Sequence, residues 1–275
     1  MPKVIDAILY AGEADILDIR LNELSSVVDH FVIIESAEAH GAARLRKADS
    51  FPECLKSFLP KITYRFLPQL EPPYTDGQSG WARENYHRNA LMSPVLSLGA
   101  KPEDIILVSD ADEIPRASAI KRYLSGPPPG VSLLRLDHYF YNVNCYSGVW
   151  MRSSIGTLKA YQDMGGFQAP RGYLGEVIER YVMALGNAGW HFSSFFSPER
   201  LREKLRNFAH SFEYPVLTAL SDEALIDIIK SHRNIFNGQE LSRRPTKNPS
   251  LPQYFLDNLN RFQNFTEEGQ CKISR

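Results

Sequence analysis

The chain has 275 residues, of which 43% are hydrophobic and 23% are charged, proportions typical of a globular protein with an ordinary core. This composition excludes a disordered or collagen-like chain, and the length suffices for one large domain or two small ones. The net charge of −1 gives no overall field that would attract nucleic acid or an anionic membrane, so any phosphate recognition must be local.

Signals for targeting and for disulfide bonds are weak. No segment approaches the roughly 20 apolar residues that a transmembrane helix needs. Asp6 interrupts the N-terminal apolar run, which favours a first strand over a signal peptide. Cys54, Cys145 and Cys271 are odd in number and lack C-x-x-C spacing, so we expect free thiols. The sequence as written therefore predicts a cytoplasmic protein without a transmembrane segment.

Strands and helices alternate through the first third of the chain. Residues 3–9 are predicted as a strand, and residues 14–24 carry apolar side chains at helical spacing. Residues 30–36 and 62–67 are predicted as the next two strands. This alternation predicts an α/β fold with a mostly parallel central sheet.

The most informative stretch is an apolar strand that ends in three carboxylates. Residues 105–108 form a continuous apolar run, as expected of a strand covered on both faces, and Asp110, Asp112 and Glu113 follow it. Mg²⁺ and Mn²⁺ prefer oxygen ligands and are often held by protein carboxylates together with substrate phosphates. The pattern therefore suits a metal site, although Asp-x-Asp also occurs in surface turns, where Asp caps a following helix.

Acidic residues also follow two other predicted strands. Glu13 comes after the first strand and Glu35 ends the second, as Asp110 ends the fourth. Ligands of open α/β sheets bind in the crevice beyond the carboxyl ends of the strands. We therefore expect these three side chains to lie along one edge of the sheet.

A helix is predicted over residues 81–91. Glu84 and Arg88 lie four residues apart, which fits an ion pair on a solvated helix face. Alternatively, Arg83 or Arg88 contacts a substrate diphosphate, because the planar guanidinium group matches phosphate oxygens. Both interpretations remain open from the sequence.

The second half of the chain becomes mainly helical towards its end. A helix at 117–124 and a strand at 131–136 precede an aromatic segment at 137–144, whose rings either stack on sugars or fill the core. Ser197 and Ser221 are predicted to cap two further helices. The C-terminal third is therefore expected to be helical.

Three histidines are candidate nitrogen ligands for a metal ion. His191 belongs to the strand-like segment Gly189-Trp190-His191, and His210 and His232 follow it. Histidine also has many structural uses, so both roles remain open for each of them.

Five ordered segments, spread over residues 5–240, carry a resemblance to a known family. They are Phe31-Val32-Ile33-Ile34-Glu35-Ser36, residues 83–91, Ser109-Asp110-Ala111-Asp112-Glu113-Ile114-Pro115, Gly189-Trp190-His191 and Phe236-Asn237-Gly238. In these segments the chain resembles the bisecting-type β-1,4-mannosyl-glycoprotein 4-β-N-acetylglucosaminyltransferases and their microbial relatives. The acidic string together with Gly-Trp-His is the most specific part.

The resemblance implies a metal-dependent, inverting glycosyltransferase with a GT-A type α/β fold. It implies transfer of N-acetylglucosamine from a UDP-sugar to a mannosyl acceptor on a glycan. Asp110 and Asp112 would bridge Mn²⁺, or Mg²⁺, to the donor diphosphate, and His191 would complete the ligand set. The implied donor-binding residues are Glu35, Arg83, Arg88 and Asp110.

The resemblance also implies a division of labour within one domain of 275 residues. Residues 1–125 would bind the nucleotide-sugar, and residues 126–275 would form the acceptor side. Inversion requires a carboxylate base that takes the proton of the acceptor hydroxyl. The candidates for this base are Glu113, Asp163, Glu176 and Glu179.

The chain departs from the animal members of the family in lacking a membrane anchor and stem as written. A place in the Golgi lumen, with a glycoprotein acceptor, is therefore expected only if an anchor has been removed. The sequence contains one N-glycosylation sequon, Asn264-Phe265-Thr266.

Two other classes of protein explain part of the pattern. A phosphatase of the haloacid dehalogenase type also places Asp-x-Asp after a buried strand, but it expects Thr or Val where this chain has Ile114. A non-catalytic carbohydrate-binding protein would use Tyr139, Tyr141, Trp150 and Trp190 as stacking platforms. That alternative leaves the strand-end carboxylates without a role.

Overall fold

Ten of the twelve described strands form one mixed sheet. The computed structural model describes residues 2–45, 53–75, 80–172, 184–208 and 213–273. In chain order the strands are β1 (Val4–Tyr10), β2 (His30–Ser36), β3 (Glu38–Ala39), β4 (Ala42–Leu45), β5 (Ile62–Leu67), β6 (Ile105–Asp110), β7 (Glu113–Pro115), β8 (Val131–Phe140), β9 (Cys145–Trp150), β10 (Ser154–Thr157), β11 (Ala184–Ser193) and β12 (Ser242–Arg243). Strands β3 and β4 form a separate hairpin.

Helices connect the strands and dominate the C-terminal part. In the described ranges the α-helices are α1 (Ala14–Leu24), α2 (Trp81–Asn89), α3 (Met92–Ser97), α4 (Ala117–Leu124), α5 (Leu158–Asp163), α6 (Ala169–Gly172), α7 (Pro198–Asn207), α8 (Asp222–Lys230), α9 (Gln253–Asp257) and α10 (Glu267–Ile273). Short 3₁₀ helices span Glu53–Lys61, Leu217–Ala219 and Gln263–Phe265. Across the same ranges, no helix combines the length and apolarity that a membrane span requires.

The centre of the sheet is parallel. Strands β5, β2, β1 and β6 lie side by side in that order, and each adjacent pair is parallel. The sheet continues beyond β6 with β10, β8, β9 and β12, which alternate in direction, while β11 runs parallel to β8. The predicted α/β class and parallel centre are confirmed. The sheet crosses both predicted halves of the domain, and their division at residue 125 stays a prediction.

The parallel strands are buried on both faces because helices cover both sides. Alternate side chains of a strand point to opposite faces. Ile33 and Leu107 pack in the cluster that includes α1 and α4, whereas Val32 and Ile106 pack in the cluster that includes α5 and the Leu91–Val95 segment. This two-sided burial explains the continuous apolar runs in the sequence.

An aromatic core supports the C-terminal half of the sheet. Tyr139 and Trp190 belong to a cluster with phenylalanines of residues 255–265, and Tyr141 packs in the neighbouring cluster under α7 and α8. Their exposed fractions are 2% for Tyr139, 2% for Trp190 and 0% for Tyr141. The interpretation of these three residues as sugar-stacking platforms is therefore wrong, because none of them presents a ring face to solvent.

Some predicted residues fall outside the described part of the chain. Glu176, Glu179 and His210 lie outside the described residues, as do the side chains of Cys54 and Cys271. Cys145 is a buried free thiol, as the sequence predicts.

A buried ion pair joins β1 to α1 and to the turn after β6. Arg20 donates through Nε and Nη2 to the two carboxylate oxygens of Asp6, at 2.8 and 2.6 Å. Its Nη1 donates to the backbone carbonyls of Asp110 and Glu113, both at 2.8 Å, and its Nη2 donates to the Ser109 hydroxyl at 2.6 Å. All five guanidinium N–H groups therefore have partners. The buried Arg20 side chain thus holds the backbone of the acidic turn, residues 110–113, in place.

We expect Arg20→Met to lower the free energy of unfolding by about 3–5 kcal/mol, because the variant leaves Asp6 as a buried charge without a counter-ion. Urea unfolding at pH 7 measures this difference. Lys159→Ala is the control, since it removes only an exposed i,i+4 pair with Asp163 and should cost at most about 0.5 kcal/mol. A loss for Arg20→Met that does not exceed the control would contradict the expectation.

Candidate active site

Three acidic residues lie at the same edge of the parallel sheet. Asp110 ends β6 and is in register with Leu9 of β1, and Glu35 near the end of β2 is in register with Tyr10. Glu13 lies three residues after the end of β1 and directly precedes the first residue of α1. The structure therefore places these residues along one edge, as expected from the strand ends.

The two aspartates of the acidic motif face different partners. The carboxylate of Asp110 accepts a hydrogen bond from Arg88 Nη1 on Oδ1 at 2.8 Å and from Arg171 Nη2 on Oδ2 at 2.7 Å. The carboxylate of Asp112 instead has its Oδ2 at 3.5 Å from Nε2 of His191. The motif is thus divided between an aspartate bound by arginines and an aspartate facing a histidine.

Local charges keep both aspartates ionised. Burial opposes ionisation of Asp110, but Arg171 and Arg88 outweigh it and hold the pKa of Asp110 well below its usual range. Burial also raises the pKa of Asp112, but the neighbouring His191 outweighs burial and lowers this pKa below its usual value. Both groups are therefore carboxylates at neutral pH.

The ring of His191 is fixed by strand pairing and by stacking. In the pairing of β11 with β7, His191 lies opposite Glu113. Its ring stacks on His138 with centroids 4.6 Å apart and contacts Trp150 at 4.5 Å. Within the described part of the chain, its Nδ1 is buried and has no hydrogen-bond partner. These contacts direct Nε2 towards Asp112.

Asp112 and His191 are the two residues of the predicted metal site that face each other. Two adjacent ligands of an octahedral cation with bonds of about 2.1 Å are roughly 3 Å apart, so their 3.5 Å separation needs little adjustment. Asp110 points its oxygens to the arginines instead. Among the residues that the structure describes, no three His, Cys, Asp or Glu side chains converge closely enough to hold a metal ion.

Glu113 is completely buried and its oxygens are fully engaged. It accepts hydrogen bonds from Trp150 Nε1 at 2.6 Å, from the Ser153 hydroxyl at 2.8 Å and from the backbone N–H of Asp110 at 3.1 Å. Arg171 Nη1 contacts both of its oxygens, at 2.9 and 3.2 Å. This placement favours a structural role for Glu113, and its assignment as the catalytic base stays a prediction.

Arg88 lies inside the site. Its Nη2 donates to Glu84 at 3.1 Å, so the predicted i,i+4 pair forms. The pair is buried, with 2% of the Arg88 side chain exposed, because Arg88 also bonds Gln168 through Nε and Asp110 through Nη1. The expectation of a solvated ion pair is wrong, since the helix packs this face against the acidic motif.

Arg83 has a different set of partners. It is buried and donates to the Glu38 carboxylate at 2.9 Å and to the carbonyls of Ala39 and Pro72 at 3.0 and 3.1 Å. Arg83 therefore ties the β3–β4 hairpin to the loop after β5. Its assignment to the donor diphosphate stays a prediction.

Glu35 is buried at the end of β2 and accepts a hydrogen bond from the Tyr64 hydroxyl. Its charge also acts on Tyr10, whose pKa is raised by burial and by the nearby carboxylates of Glu13 and Glu35. The carboxylate thus belongs to a small network at the strand ends.

Arg171 is a residue of this site that no sequence motif marks. Arg171 lies in α6, a helix of only four residues, so no periodic pattern marks it. Charge balance is the signal that points to such a residue, because Asp110 and Glu113 at a buried strand end require cations. Which arginine supplies the charge depends on the folded chain.

A comparison with protein families covers the whole chain. The model described as glycosyltransferase family 17 matches residues 1–274. The chain belongs to glycosyltransferase family 17. Membership confirms the resemblance drawn from the motifs. One family thus accounts for all five segments that carry the resemblance.

Relatives of this family 17 chain carry a more specific name. Two proteins named β-1,4-mannosyl-glycoprotein 4-β-N-acetylglucosaminyltransferase are each 29% identical to it: one from Rattus norvegicus covers 96% of this chain, and one from Homo sapiens covers 94%. The chain spans about half the length of these relatives, 54% of each. A solved structure of the inositol-1-phosphate CTP transferase from T. maritima aligns with 74% of this chain, and the alignment covers 96% of the chain in that structure. The TM-score is 0.39 and the sequence identity is 11%, which is too low for any conclusion about function.

We expect Glu113→Gln to lower the free energy of unfolding by about 3 kcal/mol, because the amide group would face the donors of Trp150 and Arg171 inside the core. Urea unfolding measures the loss. Asp163→Asn is the matched control, as an exposed carboxylate whose removal should cost at most about 0.5 kcal/mol. Wild-type stability in Glu113→Gln would contradict the structural role.

The stability should depend on pH through His138. Burial and the neighbouring His191 lower the pKa of His138 to about 2. The unfolded chain binds a proton near pH 6.5 and the native protein does not, so this group makes stability fall as the pH falls below 6.5. We expect His138→Gln to gain about 1 kcal/mol relative to wild type between pH 6.5 and 5.5, measured by urea unfolding. Parallel pH profiles would contradict this expectation.

Proposed function

We propose that this family 17 protein is a metal-dependent, inverting glycosyltransferase of the GT-A type. In this proposal it transfers N-acetylglucosamine from a UDP-sugar to a mannosyl group of a glycan. The observation that carries the proposal is the Asp112–His191 pair, 3.5 Å apart, at the carboxyl edge of parallel strands. The names of the relatives support the choice of sugar and acceptor.

The proposed donor site combines a cation-binding pair with two arginines. Asp112 and His191 would hold Mn²⁺ or Mg²⁺, with Asp110 beside them, and the cation would neutralise the diphosphate as it leaves. Arg88 and Arg171 already lie at this edge. An anionic diphosphate suits such a site because planar guanidinium groups and a cation both complement phosphate oxygens.

Helix α7 adds further basic side chains to the same region. Arg200 donates through Nη2 to the carbonyl of Gly12, in the loop after β1, at 2.6 Å. The charge of Lys204 is close enough to lower the pKa of Asp112, in addition to the larger effect of His191. These positions support binding of the donor between α7 and the strand ends.

The sugar transfer itself needs a base near the acceptor. In a displacement that inverts the anomeric carbon, a carboxylate takes the proton of the attacking hydroxyl group. Glu113 has its oxygens engaged, and Asp163 pairs with Lys159 on an exposed surface at 3.0 Å. Activity measurements on single Asn or Gln variants of the four candidate carboxylates therefore test which of them is the base.

Thermal unfolding with UDP, with and without Mn²⁺, tests the donor site. We expect a stabilisation of about 2.7 kcal/mol at a ligand concentration of about 100 times the dissociation constant, and only when Mn²⁺ is present. Asp112→Asn should abolish the shift, whereas Asp163→Asn, a matched substitution of an exposed carboxylate, should keep it. A UDP shift that persists without Mn²⁺ or in Asp112→Asn would count against this site.

Incubation with UDP-N-acetylglucosamine and mannose-containing glycans tests the reaction. We expect Mn²⁺-dependent release of UDP and a β-linked product, because the donor carries an α-linked phosphate and the proposed displacement inverts it. If the protein hydrolyses or transfers a different sugar from a panel of UDP-sugars, the proposed donor sugar is wrong and the proposed donor site still stands.

A further inference from the structure

Arg171 contacts two carboxylates of the acidic motif and one of helix α2. Its Nη2 donates to Asp110 Oδ2 at 2.7 Å, and its Nη1 contacts the two oxygens of Glu113 at 2.9 and 3.2 Å. Its Nε lies 3.6 Å from Oε1 of Glu84. The Arg171 guanidinium group thus contacts the carboxylates of Asp110, Glu113 and Glu84.

The other arginine on Asp110, Arg88, is more deeply buried. Arg88 belongs to a helix of nine residues, and all three of its nitrogens bond side chains, including Gln168. Its side chain is 2% exposed, against 14% for Arg171. Arg171 is therefore the more solvent-exposed of the two cations that bind Asp110.

A divalent cation and the Arg171 guanidinium cannot share one oxygen of Asp110. The arginine approaches Oδ2 to 2.7 Å, and a metal ion would need about 2.1 Å to the same carboxylate while repelling the guanidinium charge. Asp112 and His191 are not involved in this contact, so they remain available to a cation that arrives.

We infer that Arg171 is a positioning residue that acts as the resident cation of the acidic motif and competes with the divalent cation for Asp110. The inference rests on the proposed function, because it assumes that the motif takes up Mn²⁺ or Mg²⁺. The site then has an arginine-bound state, which the structure shows, and a cation-bound state in which Asp110 is released. Two ligands that exclude each other lower each other's affinity by the same factor.

Mn²⁺ binding without nucleotide tests this competition. Electron paramagnetic resonance of the unbound ion gives the dissociation constant for the whole chain. We expect Arg171→Gln to bind Mn²⁺ at least about tenfold more tightly than wild type, since the competitor is gone. Arg171→Lys keeps the charge, but one ammonium group cannot span Asp110 and Glu113, so we expect an intermediate affinity.

Lys204→Gln is the matched control. It removes one positive charge that acts on Asp112 without freeing an oxygen of Asp110, and it should change the affinity less than about threefold. An equal gain in Lys204→Gln and Arg171→Gln would overturn the inference, because loss of charge alone would then explain the effect. Equal affinity in Arg171→Gln and wild type would also overturn it and leave the proposed function intact.

The measurement also separates this inference from the proposed function. Absence of Mn²⁺ binding in wild type and in every variant would overturn both the competition and the metal site. Thermal unfolding of each variant shows whether it is folded, and Arg171→Lys carries the test if Arg171→Gln does not fold. Weaker Mn²⁺ binding in a folded Arg171 variant would overturn the competition as well.

Discussion

The five hydrogen bonds of the Arg20 guanidinium are the constraint on which the site depends. They join Asp6 in the central strand to the Ser109 hydroxyl and to the carbonyls of Asp110 and Glu113. A buried ion pair of this kind adds little net stability compared with an apolar pair of the same volume, but it tolerates very few alternative geometries. The direction in which the acidic turn leaves the sheet is therefore set by the core, before any ligand arrives.

This fixed turn divides the acidic motif. Asp110 faces the arginine side of the turn, and Asp112 faces the strand that carries His191. Strand pairing makes the second arrangement possible, because Glu113 and His191 lie opposite each other although they are far apart in the chain. One short motif can thus serve two purposes: to hold the positive charges of Arg88 and Arg171 at the crevice, and to present a carboxylate beside a ring nitrogen.

The aromatic surroundings of His191 complete this arrangement. The ring of His138 stacks against the ring of His191. Burial lowers the pKa of His138 to about 2, so His138 is uncharged and does not repel a positive charge on the neighbouring ring. Trp150 contacts the His191 ring and donates to Glu113, which links the histidine to the buried end of the acidic motif. Trp150 and Glu113 thus both contact groups that hold the acidic motif and His191 in place.

The sequence by itself determined the parallel centre of the sheet, since short apolar runs at residues 4–10, 30–36 and 105–110, separated by helical patterns, are typical of parallel strands covered on both faces. It also determined which acidic residues lie at one edge of the sheet, because the ends of parallel strands share that edge. Tertiary structure alone decided their partners. Arg171 reaches Asp110 from a four-residue helix without periodicity, and charge pairing across such distances depends on the packing of the whole chain and leaves no mark in a local pattern.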